Sequence, residues 1–196
     1  MVFAMIDTLL AWDRKLARLL VWIGGTGLLL AALMVSVDVV IRDLFGVTVG
    51  GADEISGYIF AISTAFALPY ALLHRVNVRI DAFYVRFPTR VRAVLDLVSV
   101  AALAVFAFPL TGWVFIMVGD SLSLWTRSIT PLRTPVAIPQ SLWLTGLVLF
   151  CLSILLVLVV SVIRLARGDA AGVSRVAGPL TLEEEASDGP TAGQAG

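Results

Sequence analysis

The sequence predicts an all-α integral membrane protein with four transmembrane helices, and three observations carry that reading. Hydrophobic residues make up 59% of the chain and charged residues 14%, whereas a soluble domain carries about 45–50% and about 25%. Four stretches, residues 19–37, 55–73, 97–119 and 134–163, contain no Asp, Glu, Lys, Arg or His. Each is long enough to cross about 30 Å of hydrocarbon at 1.5 Å per residue. The stretches are continuous rather than alternating, and too few for a closed barrel, so spanning strands are excluded.

The elements follow in chain order. In residues 1–18, Ile6, Leu9, Leu10, Trp12 and Leu16 mostly keep helical spacing, with Asp13, Arg14 and Arg18 between them. This predicts an interfacial helix lying along the membrane before the chain turns in. The first span runs over about 19–41. Its apolar run is longer than a signal peptide's and acidic Asp7 and Asp13 precede it, so it reads as a retained anchor. The second span covers 55–73. In the connection after it, Val76, Ile80, Phe83, Tyr84 and Phe87 share one helical face and Arg75, Arg79 and Arg86 flank it. That pattern predicts a second surface helix, stopped by Pro88. The third span is placed at 93–119. Pro135 and Pro139 put the start of the fourth near Ser141, giving 141–163. Residues 168–196 are rich in Gly, Ala, Ser and acid, with Glu183, Glu184 and Glu185 in a row. They are expected to form a disordered acidic cytoplasmic tail after a membrane domain of residues 19–167.

Charge placement predicts orientation. Arg14, Lys15, Arg18, five arginines in 74–96, and Arg164, Arg167 and Arg175 fall on one side; Arg42, Arg127 and Arg133 fall on the other. The basic side is expected to be cytoplasmic, which places both termini inside. Trp12 and Trp22 then lie near the inner interface, and Trp113, Trp125 and Trp143 near the outer one.

Several functions are excluded. One Cys and one His cannot build a disulfide framework, a Cys metal cage, a bis-histidine haem or a multi-histidine zinc site. Lys+Arg and Asp+Glu are balanced at 14 each, without the basic excess of a nucleic-acid binder. No phosphate loop and no gathered Ser/His/Asp set is present, so no catalytic residue, metal or cofactor is expected.

The remaining candidates are structural. Asp38 and Arg42 are four residues apart at the outer end of the first span, and a short connection brings Glu54 within reach, so charge pairing is expected among the three. His74 and Arg75 stand at the inner boundary as interfacial anchors with Arg79, Asp81 and Arg86. Gly57, Ala61, Ala65 and Pro69 recur every four residues on the second span. Such a stripe serves either packing within the bundle or contact with a partner helix, and partner contact is the expectation for Gly57, Ala61 and Ala65. Gly27 and Ala31 make a shorter version that suits internal packing. Pro69 and Pro109 are expected to bend their helices. No charge falls at the centre of any of the four apolar stretches, where an ion or proton carrier would place one.

The segments VDVVIRDLFG (37–46), ADEISGY (52–58), HRVNVRIDAF (74–83) and TPVAIPQSLW (134–143), in this order within a four-span chain, resemble the small permease subunit of tripartite ATP-independent periplasmic (TRAP) transporters, the DctQ type. The resemblance covers roughly residues 10–165, and Arg42, Glu54, His74, Arg79 and Asp81 fall on its motif positions. It implies a scaffold packed against a large DctM-type permease in the bacterial inner membrane. That permease would move an organic acid by sodium symport, the acid being delivered by a periplasmic DctP-type binding protein. The competing expectation is a self-sufficient homo-oligomeric carrier or channel. It would have only hydroxyls such as Ser36, Ser63, Thr64, Ser99, Thr111, Thr145 and Ser153 to work with. Neither reading names the substrate or a substrate-binding residue.

Overall fold

A computed structural model describes residues 2–48, 50–75 and 87–179. The described residues form five helices: α1 (Val2–Phe45), α2 (Ala52–Leu73), α3 (Thr89–Ser123), α4 (Ala137–Ala166) and α5 (Ala170–Ala177). The first four are long and apolar enough to cross a membrane, and no strand is present among the described residues.

Two features differ from the expectation. The chain does not turn between residues 18 and 19: α1 is one helix of 44 residues, about 66 Å long. Good helix formers fill the 13–20 stretch, and no Gly or Pro interrupts it, so nothing breaks the hydrogen-bond ladder. The fourth helix starts at Ala137, four residues before Ser141. Pro139 falls in its first turn, where a missing N–H costs nothing. Pro69 and Pro109 both sit within continuous helices. The amphipathic stretch expected over 76–87 lies, except for Phe87, outside the described residues, as do Arg79, Asp81 and Arg86.

Paired contacts set the topology. Gly24 meets Ser63 and Gly27 meets Ile59, so α1 and α2 are antiparallel. Gly146 meets Ala65 and Phe66, and Tyr58 and Ala61 share a hollow with Pro139 and Trp143, so α2 and α4 are parallel neighbours. Thr111 touches Cys151, and Val114 and Val118 cluster with Leu147, so α3 runs back along α4. The α1–α2 and α3–α4 connections therefore share one end of the bundle, here the connection end. Both described chain termini share the other, the terminal end.

The core is centred on α4, where Ile154, Val157 and Val160 are buried and pack with Val100, Ala107, Leu72, Leu73, Leu10 and Ala17. Its large aliphatic side chains are flanked by small residues, which lets neighbouring helices approach. Extending the observed pairings puts Asp13, Leu72–His74 and Ser153 at one level, where α2 ends. Helix α4 goes on for 13 residues past Ser153, about 20 Å. The space beneath α2 is filled by α5, which packs on α3 and α4.

Disorder beginning at residue 168 is therefore corrected for 168–179. Asp169 caps α5 by accepting from Gly172 N at 2.8 Å, Val173 is fully buried, and Arg164 donates to Gly172 O at 2.9 Å. Eight residues do not sustain a helix alone, but a cap and a buried valine hold this one in place. Residues 180–196 lie outside the described part.

Candidate functional site

Two polar clusters mark the ends of the bundle. At the connection end, the expected pairing of Arg42 with Asp38 and Glu54 is not what the structure builds. Asp38 is buried and accepts from Thr48 Oγ1 at 3.1 and 3.3 Å. Glu54 Oε1 accepts from Tyr58 OH at 2.8 Å, and Oε2 accepts from Thr130 Oγ1. The Arg42 side chain lies exposed. Hydroxyls accompany both carboxylates, and in water the small gain of an exposed ion pair is offset by the entropy of ordering the long Arg42 side chain.

Glu54 thus fastens the α3–α4 connection to the start of α2. Leu132 of that connection lies where a side chain on Gly51 would be: a Cβ there would sit 1.4 Å from Leu132 Cδ1. Gly51 also has φ 99°, a conformation that favours glycine. Within the connection, Arg127 bridges Pro135, Ser128 N donates to Thr134 O at 2.9 Å, and Val136 N donates to Thr126 O at 3.2 Å. The result is a braced loop whose apolar tip, Trp125 and Ile129, faces outward, Ile129 being fully exposed.

At the terminal end, His74 caps α2. Its ring stacks on Tyr70 with centroids 3.8 Å apart. Nδ1 lies 3.1 Å from Tyr70 O, which makes Nδ1 the protonated nitrogen. Burial pushes the imidazole below its usual pKa; the Tyr70 carbonyl opposes this, and the charges of Arg18 and Arg14 add to the depression. Arg75, at φ 59°, donates through Nε to Gly178 O at 2.7 Å and through Nη2 to Pro179 O. The expected anchors His74 and Arg75 are therefore engaged within the protein, Arg75 tying the end of α2 to the end of α5.

Asp13 stands at the same level. Its Oδ1 accepts from Ser153 Oγ at 3.1 Å, and its Oδ2 is buried with no hydrogen-bond partner among the described residues. The contact follows from α1 continuing straight past the end of α2, where it meets α4. Asp96 is also fully buried, at the seam of α3 and α5. Among the described residues no three His, Cys, Asp or Glu side chains come together as a metal site. Cys151 is a free, buried thiol beside Thr111 Oγ1 at 3.2 Å.

The small-residue stripe of α2 splits between two roles. Ala65 is buried against α4, where a Cβ on Gly146 would stand 2.8 Å from Ala65 Cβ, so its assignment to a partner helix is corrected to internal packing. A Cβ on Gly57 would meet nothing within 4 Å; Gly57 lines an open groove of about 610 Å³ with Leu28, Ala31, Ala32 and Phe60. Ala61 lies between these, in the hollow facing α4. A four-residue repeat advances about 40° per step around a helix of 3.6 residues per turn, so eight residues rotate the stripe from one face to the next. Helices α1 and α2 meet further along, where Ser63 Oγ donates to Gly24 O at 2.8 Å.

With this geometry, a family model described as the DctQ component of tripartite ATP-independent periplasmic transporters matches residues 31–167. The chain belongs to the DctQ family. Comparison with curated proteins and with solved structures finds no match. The matched DctQ segment starts within α1 and ends where α4 ends. It includes the Glu54 brace, the Gly57 groove except Leu28, and His74, and excludes Asp13, the basic residues before residue 19, and α5. As a DctQ component the chain is the small subunit of a TRAP transporter, and the family is one of transporter parts, not of enzymes.

Proposed function

We propose that this DctQ chain is a non-catalytic scaffold that holds a large DctM-type permease during sodium-coupled uptake of an organic acid. A periplasmic DctP-type protein delivers the acid, and the assembly stands in the bacterial inner membrane with both termini of this chain in the cytoplasm. The observation that carries the reading, beyond family membership, is the distribution of packing. The most hydrophobic window of α4 is half buried within the bundle, whereas those of α1, α2 and α3 are about one-fifth buried or less. That leaves broad apolar faces for lipid and for a large partner. The Gly57 groove is the face assigned to a helix of the large permease, and the Glu54-braced loop is the element assigned to docking the binding protein. Copurification tests the scaffold role. The tagged chain, co-expressed with the large permease, should bring it down in equal amount, and failure to do so removes the reading.

One observation favours a self-sufficient carrier: the Asp13 carboxylate against Ser153, halfway along α4. It is a single carboxylate on a helix that next carries Arg14, Lys15 and Arg18. Ion flux through liposomes holding this chain alone would support the carrier.

A further inference from the structure

We propose that the terminal-end basic cluster Arg14–Lys15–Arg18 is the docking site for this chain's own acidic segment Glu183–Glu185, so that the C-terminal tail folds back onto α1. The inference is independent of the transporter reading and gives the tail a role.

Four observations support this pairing. Arg75 grips the carbonyls of Gly178 and Pro179, so the last described residues lie beside the end of α2. The antiparallel pairing of Gly24 with Ser63 and of Gly27 with Ile59, extended along α1 and α2, sets Arg14 level with the end of α2 beside Arg75, and the charges of Arg14 and Arg18 act on His74 there. Arg14, Lys15 and Arg18 are exposed and form no salt bridge among the described residues; the Lys15 ammonium rests 5.8 Å from the centroid of the Trp12 ring. Finally, Glu183 follows Pro179 by four residues and Glu185 by six, so an extended chain reaches about 13–21 Å from the Arg75 grip.

Charge complementarity supplies the attraction. Arg18 follows Lys15 by three residues and Arg14 by four, so the three cations share one side of the helix and can face three carboxylates. The tether makes the encounter intramolecular, which raises the effective concentration to the millimolar range or above. A dense charge pair at the rim of the bundle is weak singly but gains from being a network. The competing occupant is the phosphate of an anionic lipid, which the same cluster would attract.

Lys15 is the only lysine in the chain, which makes a zero-length test specific. The full chain, reconstituted in nanodiscs of zwitterionic lipid, is treated with a carbodiimide, and the monomer is digested for mass spectrometry. The expected product is an amide between Lys15 and Glu183, Glu184 or Glu185. Its yield should fall roughly fivefold or more between 0.1 M and 1 M salt, as the screening length drops from about 10 to about 3 Å. The Arg14→Gln/Arg18→Gln variant should lose the amide while melting at the same temperature, because both side chains are exposed. No such amide at 0.1 M salt, or one indifferent to salt and to these substitutions, overturns the proposal. Persistence of the amide when phosphatidylglycerol is included supports it; loss of the amide under that condition assigns the cluster to lipid headgroups and overturns it.

Discussion

Replacing Gly146 by alanine sets helix propensity against packing. In an open stretch of helix the change stabilises by about 1 kcal/mol. At Gly146, however, the new Cβ would stand 2.8 Å from Ala65 Cβ, 2.9 Å from Ala65 C and 2.9 Å from Phe66 Cδ1, where ordinary contact begins at 3.4 Å. Relief needs a shift of about half an ångström, and two of the three atoms move only with the body of α2. That belongs in the upper part of the overpacking range, about 2–3 kcal/mol. The net loss is about 1–2 kcal/mol, or about 3–6 °C in Tm for a chain of this size. Gly112 is the control, since a Cβ there meets nothing within 4 Å; Gly112→Ala should raise Tm. Thermal unfolding of both variants in the same detergent decides the matter. If Gly146→Ala raises Tm as Gly112→Ala does, α2 and α4 do not approach at this point and the parallel α2–α4 core is misassigned.

Four further outcomes follow from the same geometry. Gly51→Ala should displace Leu132 and loosen the α3–α4 connection, making tryptic cleavage after Arg127 and Arg133 faster in intact, folded protein; cleavage at the wild-type rate contradicts the brace. Ser63→Ala should cost about 0.5–1 kcal/mol through the lost bond to the Gly24 carbonyl, measured as a lower Tm. His74 binds its proton less readily folded than unfolded, so stability should fall as pH drops below about 6.5, where the unfolded chain takes up the proton. His74→Gln should flatten that slope, and an unchanged slope would remove His74 as its source. Gly57→Leu should change stability by no more than about 0.5 kcal/mol yet reduce recovery of the large permease; full recovery would move the partner contact off the groove.

The four spans were readable because burial in a membrane imposes length and apolarity on each segment separately, with no need to know its neighbours. Residues 55–73 and 97–119 fall within helices for that reason. Internal packing at Gly27, which meets Ile59 of α2, was readable from small-residue spacing alone. What the sequence hid depends on pairings across the bundle. Asp13 looked like an interfacial charge because nothing local shows that α1 continues straight or that α2 ends level with it. Arg42 looked like the partner of Asp38 by spacing, yet Thr48 is closer once the chain turns. Ala65 and Gly57 share a stripe but not a face, since the 40° drift per four residues matters only when a neighbour's position is known. Helix α5 was concealed by composition: Gly172 and the alanines read as tail, and only the cap by Asp169 and the burial of Val173 make it a helix. The Asp169–Gly172 spacing was a local signal that an N-cap search would have found.

On the proposed function, this chain supports transport without performing it. Uptake of radiolabelled organic acid into sodium-driven liposomes tests it most directly, with the chain alone, the large permease alone, and both together with the binding protein. No uptake is expected from this chain alone, and full uptake only from the complete set. Sodium-driven uptake by this chain alone would contradict it.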